Sequence, residues 1–112
     1  MALDKIYTLQ SLHCWFRAYK KQWWEVFSKE NLSQATALLQ NGIRSFEVQP
    51  TFLVVNGKVN GIAYFATLDL THEGNIILQL SKKDKTCYGF AAAGLILLES
   101  LFEIYIDDLS LD

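Results

Sequence analysis

The alternation of hydrophobic and polar positions has a helical period in the first quarter of the chain. Between residues 8 and 28, side chains placed at 100° intervals gather the large apolar residues on one arc. The arc consists of Leu9, Leu12, Trp15, Phe16, Tyr19, Trp23, Val26 and Phe27. This spacing predicts an amphipathic helix that begins at a cap near Thr8, with Asp4 as the competing cap.

A short second helix is predicted over residues 32–41. Asn31 and Gln34 have the spacing of a capping box, in which each side chain bonds the backbone of the other residue. Gly42 suits the left-handed position that often follows a helix.

Beyond residue 42 the period changes to two, which indicates strands. One predicted face in residues 43–55 carries Phe46, Val48, Phe52 and Val54. Pro50 lies between these positions and predicts either an edge strand or two strands joined by a bend, because proline cannot donate to the ladder.

Two Asn-Gly pairs follow in close succession. Asn56-Gly57, between Val54-Val55 and Lys58-Val59, is the strongest hairpin signal, because Asn and Gly tolerate the positive φ of a type I′ turn. Asn60-Gly61 is then either a bulge or the turn itself in a slipped register. The sequence leaves this register open.

The strand predicted over residues 62–70 is apolar on both sides, so both faces are expected to be partly covered. Its first face carries Ile62, Tyr64, Ala66, Leu68 and Leu70, and its second face carries Ala63, Phe65 and Thr67. A further strand is predicted over residues 76–81.

The most apolar stretch, residues 86–106, predicts a buried helix that the rest of the chain covers. No charge occurs between Thr86 and Leu98, although this run is shorter than the about 20 residues that cross a bilayer. Its apolar residues cover an arc of roughly 200°, which is wider than the apolar stripe of an ordinary amphipathic helix. One side of this helix should lie on the sheet, and the remaining apolar width should be covered either by the first helix or by the same helix of a second copy. Leu98 is expected to be buried within a single chain.

These elements predict a single α+β domain over residues 1–112. Its antiparallel meander sheet of three to four strands packs against an N-terminal amphipathic helix and a long apolar C-terminal helix, in the order α-α-β-β-β(-β)-α. Helices followed by an antiparallel sheet resemble cone-shaped ligand-binding folds and several small secretion-chaperone or immunity-protein folds.

Composition adds an expectation about partners. Apolar residues make up 51% of the 112 residues, more than a small domain readily buries, which favours a homodimer or another protein partner. The net charge of −2 argues against a general attraction to nucleic acid or an anionic membrane. Residues 1–29 carry five basic and two acidic side chains, whereas residues 87–112 carry five acidic and no basic ones. The two ends either attract each other, within a chain or between chains, or are the solvated faces of two helices, since exposed ion pairs contribute little.

A cytoplasmic location is predicted. Cys14 and Cys87 lie far apart without C-x-x-C spacing, which is typical of free thiols in a reducing compartment. The N-terminus has no signal-peptide pattern, and no segment is judged long enough to span a membrane.

The polar side of the first helix is the main candidate interaction surface, composed of His13, Arg17, Lys20, Lys21 and Trp24. A tryptophan beside cations is typical of protein-interface hot spots. The alternatives are that Trp24 packs under a neighbouring loop, that it forms a cation–π contact with Arg17 or Lys20, or that this side binds nucleic acid.

A pocket between sheet and helices is a second candidate site, lined by Tyr64, Phe65, His72 and Tyr88. His72 has Asp69 and Glu73 as neighbours, a set that is either capable of acid–base chemistry or an ordinary turn.

Catalysis finds no other support in the sequence. Nucleophile, phosphate-binding and zinc-binding motifs are absent, and no cofactor or metal is expected. The carboxylates of the last helix are interpreted as a solvated stripe. The leading hypothesis is therefore a non-enzymatic protein-interaction module, such as a small inhibitor, immunity or chaperone-like protein. The alternative is a small-ligand-binding or enzymatic domain.

Overall fold

The computed structural model describes residues 2–49, 51–72 and 75–104. Within these ranges the chain forms three helices and four strands. They are α1 (Ala2–Glu25), α2 (Lys29–Asn41), β1 (Ile43–Val48), β2 (Phe52–Val59), β3 (Ile62–His72), β4 (Asn75–Leu80) and α3 (Lys85–Phe102). The strands form an antiparallel sheet in the order β1-β2-β3-β4, and α3 packs over β2 and β3. The predicted α+β meander packed against helices is confirmed.

Helix α1 is longer and less regular than its sequence pattern predicts. It spans Ala2–Glu25 rather than residues 8–28, and it bends at Tyr19 (φ −125°, ψ 16°), which divides it into two helical segments. Leu12, Phe16 and Trp23 from the predicted arc are buried on both sides of this bend. The Phe16 and Trp23 ring centroids lie 5.8 Å apart, so both segments pack into the same core.

Helix α2 begins one turn earlier than predicted. Ser28 Oγ accepts a hydrogen bond from the Asn31 amide (3.1 Å), and Asn31 Oδ1 accepts one from the Ser28 amide (3.0 Å). The predicted box of Asn31 and Gln34 is wrong, because Ser28 already forms the reciprocal pair that starts the helix at Lys29. Gly42 does cap the end, but at φ −154° it is not left-handed.

Replacing Ser28 with alanine should lower the free energy of unfolding by about 1 kcal/mol, because the side-chain acceptor of the Asn31 amide is lost. Urea denaturation followed by circular dichroism measures the change. Ser33→Ala is the matched control, since Ser33 is exposed within α2 and should change stability by less than about 0.5 kcal/mol. Equal effects of the two substitutions would contradict the assigned cap.

The first two strands are separate and pair antiparallel, and Pro50, which stands between them in the sequence, lies outside the described residues. Phe46 pairs with Val55 and Val48 pairs with Leu53, so these residues share the face towards the helices. The prediction that Phe46 and Val48 share a face with Phe52 and Val54 is wrong, because the register pairs even-numbered residues of β1 with odd-numbered residues of β2.

The hairpin between β2 and β3 turns at Asn60-Gly61. These residues have φ values of 52° and 78°, and Val59 pairs with Ile62. The stronger sequence signal, Asn56-Gly57, lies inside β2, so the hairpin predicted there is wrong and the slipped alternative is confirmed. Gly57 instead provides room, because a Cβ on it would collide with the carbonyl oxygen of Gly42 and with the ring of Phe90.

Helix α3 forms the centre of the core, as predicted. Asp84 caps it by accepting a hydrogen bond from the Cys87 amide (2.8 Å). The consecutive residues 89–95 are all buried, and Leu98 is fully buried within the single chain, which confirms that expectation. The predicted residues 105 and 106 of this helix lie outside the described ranges.

The small residues of α3 explain how it is covered on several sides. A Cβ at Gly89 would lie 2.5 Å from Gln34 Cγ on α2, and a Cβ at Gly94 would lie 2.5 Å from Val55 Cγ2 on β2. Close approach of α2 and the sheet therefore buries residues 89–95 of α3 all round. The additional apolar width is covered by α1 and α2, so α3 does not require a second copy.

Helix α3 also has the length and apolarity of a membrane-crossing helix. Its 18 residues have a mean hydropathy of 1.2, so the expectation that no segment is long enough is wrong on this point. Within the compact fold 56% of these residues are buried, which is typical of a core helix in a globular protein.

Candidate interaction surfaces

One face of the sheet packs against the helices, and no described element covers the other, which we call the open sheet face. Alternation along β3 places Tyr64 and Phe65 on opposite faces, as predicted, and the structure shows that Tyr64 lies towards the helices and Phe65 on the open sheet face. Phe65 and Ile77 are each 45% exposed, so the expectation that both faces are partly covered is wrong for the centre of this one. The face also carries Glu47, Phe52, Val54, Asn56, Lys58, Ala63, Thr67, Asp69 and Gln79.

The backbone of Phe65 is held firmly although its ring is exposed. Its amide donates to Ser81 Oγ (3.0 Å), and its carbonyl oxygen accepts from the Ser81 amide (3.0 Å) and from the Cys87 thiol (3.2 Å). These bonds attach β3 to β4 and to the first turn of α3. The exposed ring therefore projects from a rigid position.

The two ends of the open sheet face differ in charge. A shallow pocket of about 370 Å³ is lined by Phe52, Thr67, Asp69 and Gln79 at one end. At the opposite end, Arg44 and Lys58 line a pocket of about 270 Å³, together with the end of α2. One pocket thus contains a carboxylate and the other contains two cations.

The interaction surface predicted on α1 is only partly exposed. Arg17, Lys20 and Lys21 are exposed, whereas His13 and Trp24 are half-buried. Trp24 packs against the hydrophobic core, and the ring of His13 lies 5.0 Å from that of Phe102. The sequence pattern missed this because α1 bends at Tyr19 and because α3 reaches the polar side of α1. Partner binding by these residues stays a prediction.

An ion pair joins the basic and acidic ends of the chain, which is one of the two alternatives that their charges left open. Lys20 Nζ on α1 lies 3.9 Å from Glu99 Oε2 on α3, and it also lies 5.4 Å from the centroid of the Phe16 ring. At this distance, and with the Lys20 side chain exposed, the pair contributes little to holding α1 against α3. The cation–π contact that the structure shows is to Phe16, not to Trp24.

The four residues of the predicted pocket do not line a common cavity. Tyr64 is buried and stacks on Phe90 with centroids 5.4 Å apart, so it fills the space between sheet and helix. Phe65 lies on the opposite face, and Tyr88 is exposed at the start of α3. His72 ends β3, and its side chain lies outside the described part of the chain.

Metal-binding and thiol groups are placed by the structure for the described residues. Among the described residues no cluster of three His, Cys, Asp or Glu side chains could hold a metal ion. Cys14 is exposed and Cys87 is buried, and both are free thiols. Acid–base work by His72 with Asp69 and Glu73 stays a prediction, since Glu73 is not described. Comparison of the chain with protein-family models, with curated proteins and with solved structures finds no match.

Proposed function

We propose that the protein is a non-enzymatic protein-interaction module, of the small inhibitor, immunity or chaperone-like kind. The observation that carries this proposal is the open sheet face, where Phe65 and Ile77 are exposed while the helices cover the opposite face. Large apolar side chains grouped on a face and rimmed by polar ones are typical of binding surfaces.

The geometry of Phe65 favours tight contact with a partner. Burying a large apolar side chain contributes roughly 1.5–3 kcal/mol. The hydrogen bonds of the Phe65 backbone to Ser81 and Cys87 fix the main chain from which the ring projects, so this segment loses little backbone entropy on binding. Val54, half-buried on β2 and diagonal to Phe65, extends the apolar area, and the half-buried Phe52 extends it further along the same strand.

Binding of a small ligand is the alternative function. The pocket beside Asp69, of about 370 Å³, supports it, because this volume is at the lower end of the range of ligand sites, about 300–1,000 Å³. It is shallow and open, whereas the space between sheet and α3 that the sequence suggested is filled by Tyr64 and Phe90. The protein-binding function is therefore favoured.

A cytoplasmic location, with neither membrane nor nucleic acid as partner, belongs to the same proposal. The free thiols of Cys14 and Cys87 suit a reducing compartment. The exposed cations Arg17, Lys20 and Lys21 on α1 offer a second partner surface, and self-association as a homodimer is included in the proposal.

The double substitution Phe65→Thr with Ile77→Thr should reduce partner capture at least tenfold, because it removes the exposed apolar side chains while retaining residues that favour strands. The measurement is quantitative capture from extracts of the native cell by the immobilised protein. Ile62→Thr is the matched control, since Ile62 is 46% exposed on the same strand but belongs to the opposite face.

The wild-type protein, the double variant and Ile62→Thr should have similar thermal unfolding temperatures, so that a loss of capture reports on the surface and not on the fold. Unchanged capture by the double variant would contradict the proposed surface. Stabilisation of the wild-type protein by several degrees with one class of small molecules, lost on Asp69→Ala, would favour the ligand-binding alternative.

A further inference from the structure

Opposite charges lie at the two ends of the open sheet face. Lys58 is at one end, beside Arg44. Glu47 pairs with Val54, and Asp69 pairs with Phe52, so these two carboxylates flank the first half of β2. The apolar side chains are spread along the face, since Phe65 lies nearer the Lys58 end and Ile77 pairs with Asp69 at the other end.

Lys58 and Asp69 cannot meet within one chain. Asp69 pairs with Phe52, which lies six residues from Lys58 along β2, a separation of about 20 Å in an extended strand. An ion pair requires the charged atoms to approach within about 4 Å. The open sheet face is thus complementary to itself, but only between two molecules.

We infer that the open sheet face binds the same face of a second copy. The two sheets pack antiparallel about a two-fold axis, and Lys58 of each copy enters the pocket beside Asp69 of the other. This inference rests on the proposed function and names its partner. A two-fold axis across the strands brings each end of one face over the opposite end of the other. Lys58 then lies over the Phe52 end of the partner, with Glu47 and Asp69 on either side.

The charges also select this orientation over the other two-fold arrangement. An axis parallel to the strands would bring the Lys58 ends of the two copies together and likewise the Asp69 ends, which places like charges opposite one another. The antiparallel arrangement replaces both repulsions with attractions. It also lets the aliphatic stem of Lys58 cover Phe52 while its ammonium group approaches Asp69.

The size of the face predicts a weak dimer. Four strands about 4.8 Å apart, with about 3.3 Å of rise for each of the eight residues of β2, present roughly 500 Å² per copy. The total of about 1,000 Å² lies at the lower limit of specific interfaces. Association in the micromolar range or weaker, reduced by salt, is the expected behaviour.

Sedimentation velocity of the full chain at low ionic strength tests this inference. The protein concentration runs from about 10 μM to about 1 mM, the range of dissociation constants expected for an interface of this size. Lys58→Glu and Asp69→Lys should each weaken dimerisation at least tenfold, because each places like charges at both contacts of the dimer. An equimolar mixture of the two variants should dimerise as well as the wild-type protein, because in the mixed pair both contacts again join opposite charges.

Glu47→Lys replaces Asp69→Lys in the mixture if the latter variant does not fold, since Glu47 also flanks the proposed position of Lys58. A wild-type protein that stays monomeric throughout this concentration range overturns the inference, as does a mixture that dimerises no better than its components. If the protein is monomeric but Phe65→Thr with Ile77→Thr abolishes capture of another protein, the inference fails and the proposed function stands. If the Phe65→Thr, Ile77→Thr variant changes neither dimerisation nor capture, both the inference and the proposed function fail.

Discussion

Replacing Gly57 with valine should prevent the chain from folding. A Cβ at this position would overlap the carbonyl oxygen of Gly42 and the ring of Phe90. The oxygen cannot move away easily, because it accepts a hydrogen bond from the Lys58 amide (3.2 Å). Because the side chain would press against a fixed backbone atom, Gly57→Ala should lower the free energy of unfolding by about 3 kcal/mol, the upper part of the usual range for overpacking. Gly57→Val should lower it further.

Gly61→Ala is the matched control for Gly57→Ala. Gly61 belongs to the second Asn-Gly pair and has φ 78°, but a Cβ there meets no atom within 4 Å. Its cost is therefore backbone strain alone, about 1–2 kcal/mol. Urea denaturation of both alanine variants measures the difference, and an effect of Gly57→Ala no larger than that of Gly61→Ala would contradict the packing role of Gly57.

The two Asn-Gly pairs show how far local sequence determines this fold. Both pairs satisfy the chemistry of a type I′ turn, so turn propensity alone could not choose between them. The choice is made by a tertiary contact, because Gly57 lies where Phe90 packs against β2 and only a residue without a side chain fits there. A single sequence does not reveal that contact, whereas the existence of the hairpin was predictable.

The core helix was the most predictable element, for a related reason. The uncharged run from Thr86 to Leu98 requires burial whatever its neighbours are, so its role follows from composition. Which elements cover it depends on close approach at Gly89 and Gly94, which only the folded arrangement shows.

The candidate site was predictable in part. Strand alternation correctly separated Tyr64 from Phe65, because successive side chains point to opposite faces. It could not tell which face the helices cover, because both sides of β3 are apolar. The aromatic and basic pattern on α1 was misleading in a similar way, since Phe102 contacts His13 from α3, far away in the sequence.

Trp23→Ala should lower the free energy of unfolding by about 4 kcal/mol, the largest loss expected from truncating a side chain of α1. Trp23 is fully buried and contacts Phe16, and through this cluster α1 packs against Phe102 of α3. Truncation leaves a cavity in this cluster. The adjacent Trp24 is half-buried, so Trp24→Ala is the matched control and should cost less than half as much.

Trp23→Phe separates the packing of the indole ring from its polarity. The buried Nε1 of Trp23 has no hydrogen-bond acceptor among the described residues, so phenylalanine removes an unsatisfied donor as well as some volume. The two effects oppose each other, and the net loss should be below about 1.5 kcal/mol. Chemical denaturation of the three variants measures this order. If Trp24→Ala lowers the free energy of unfolding as much as Trp23→Ala does, Trp24 anchors α1 just as firmly. The assignment of Trp23 as the main anchor would then be wrong.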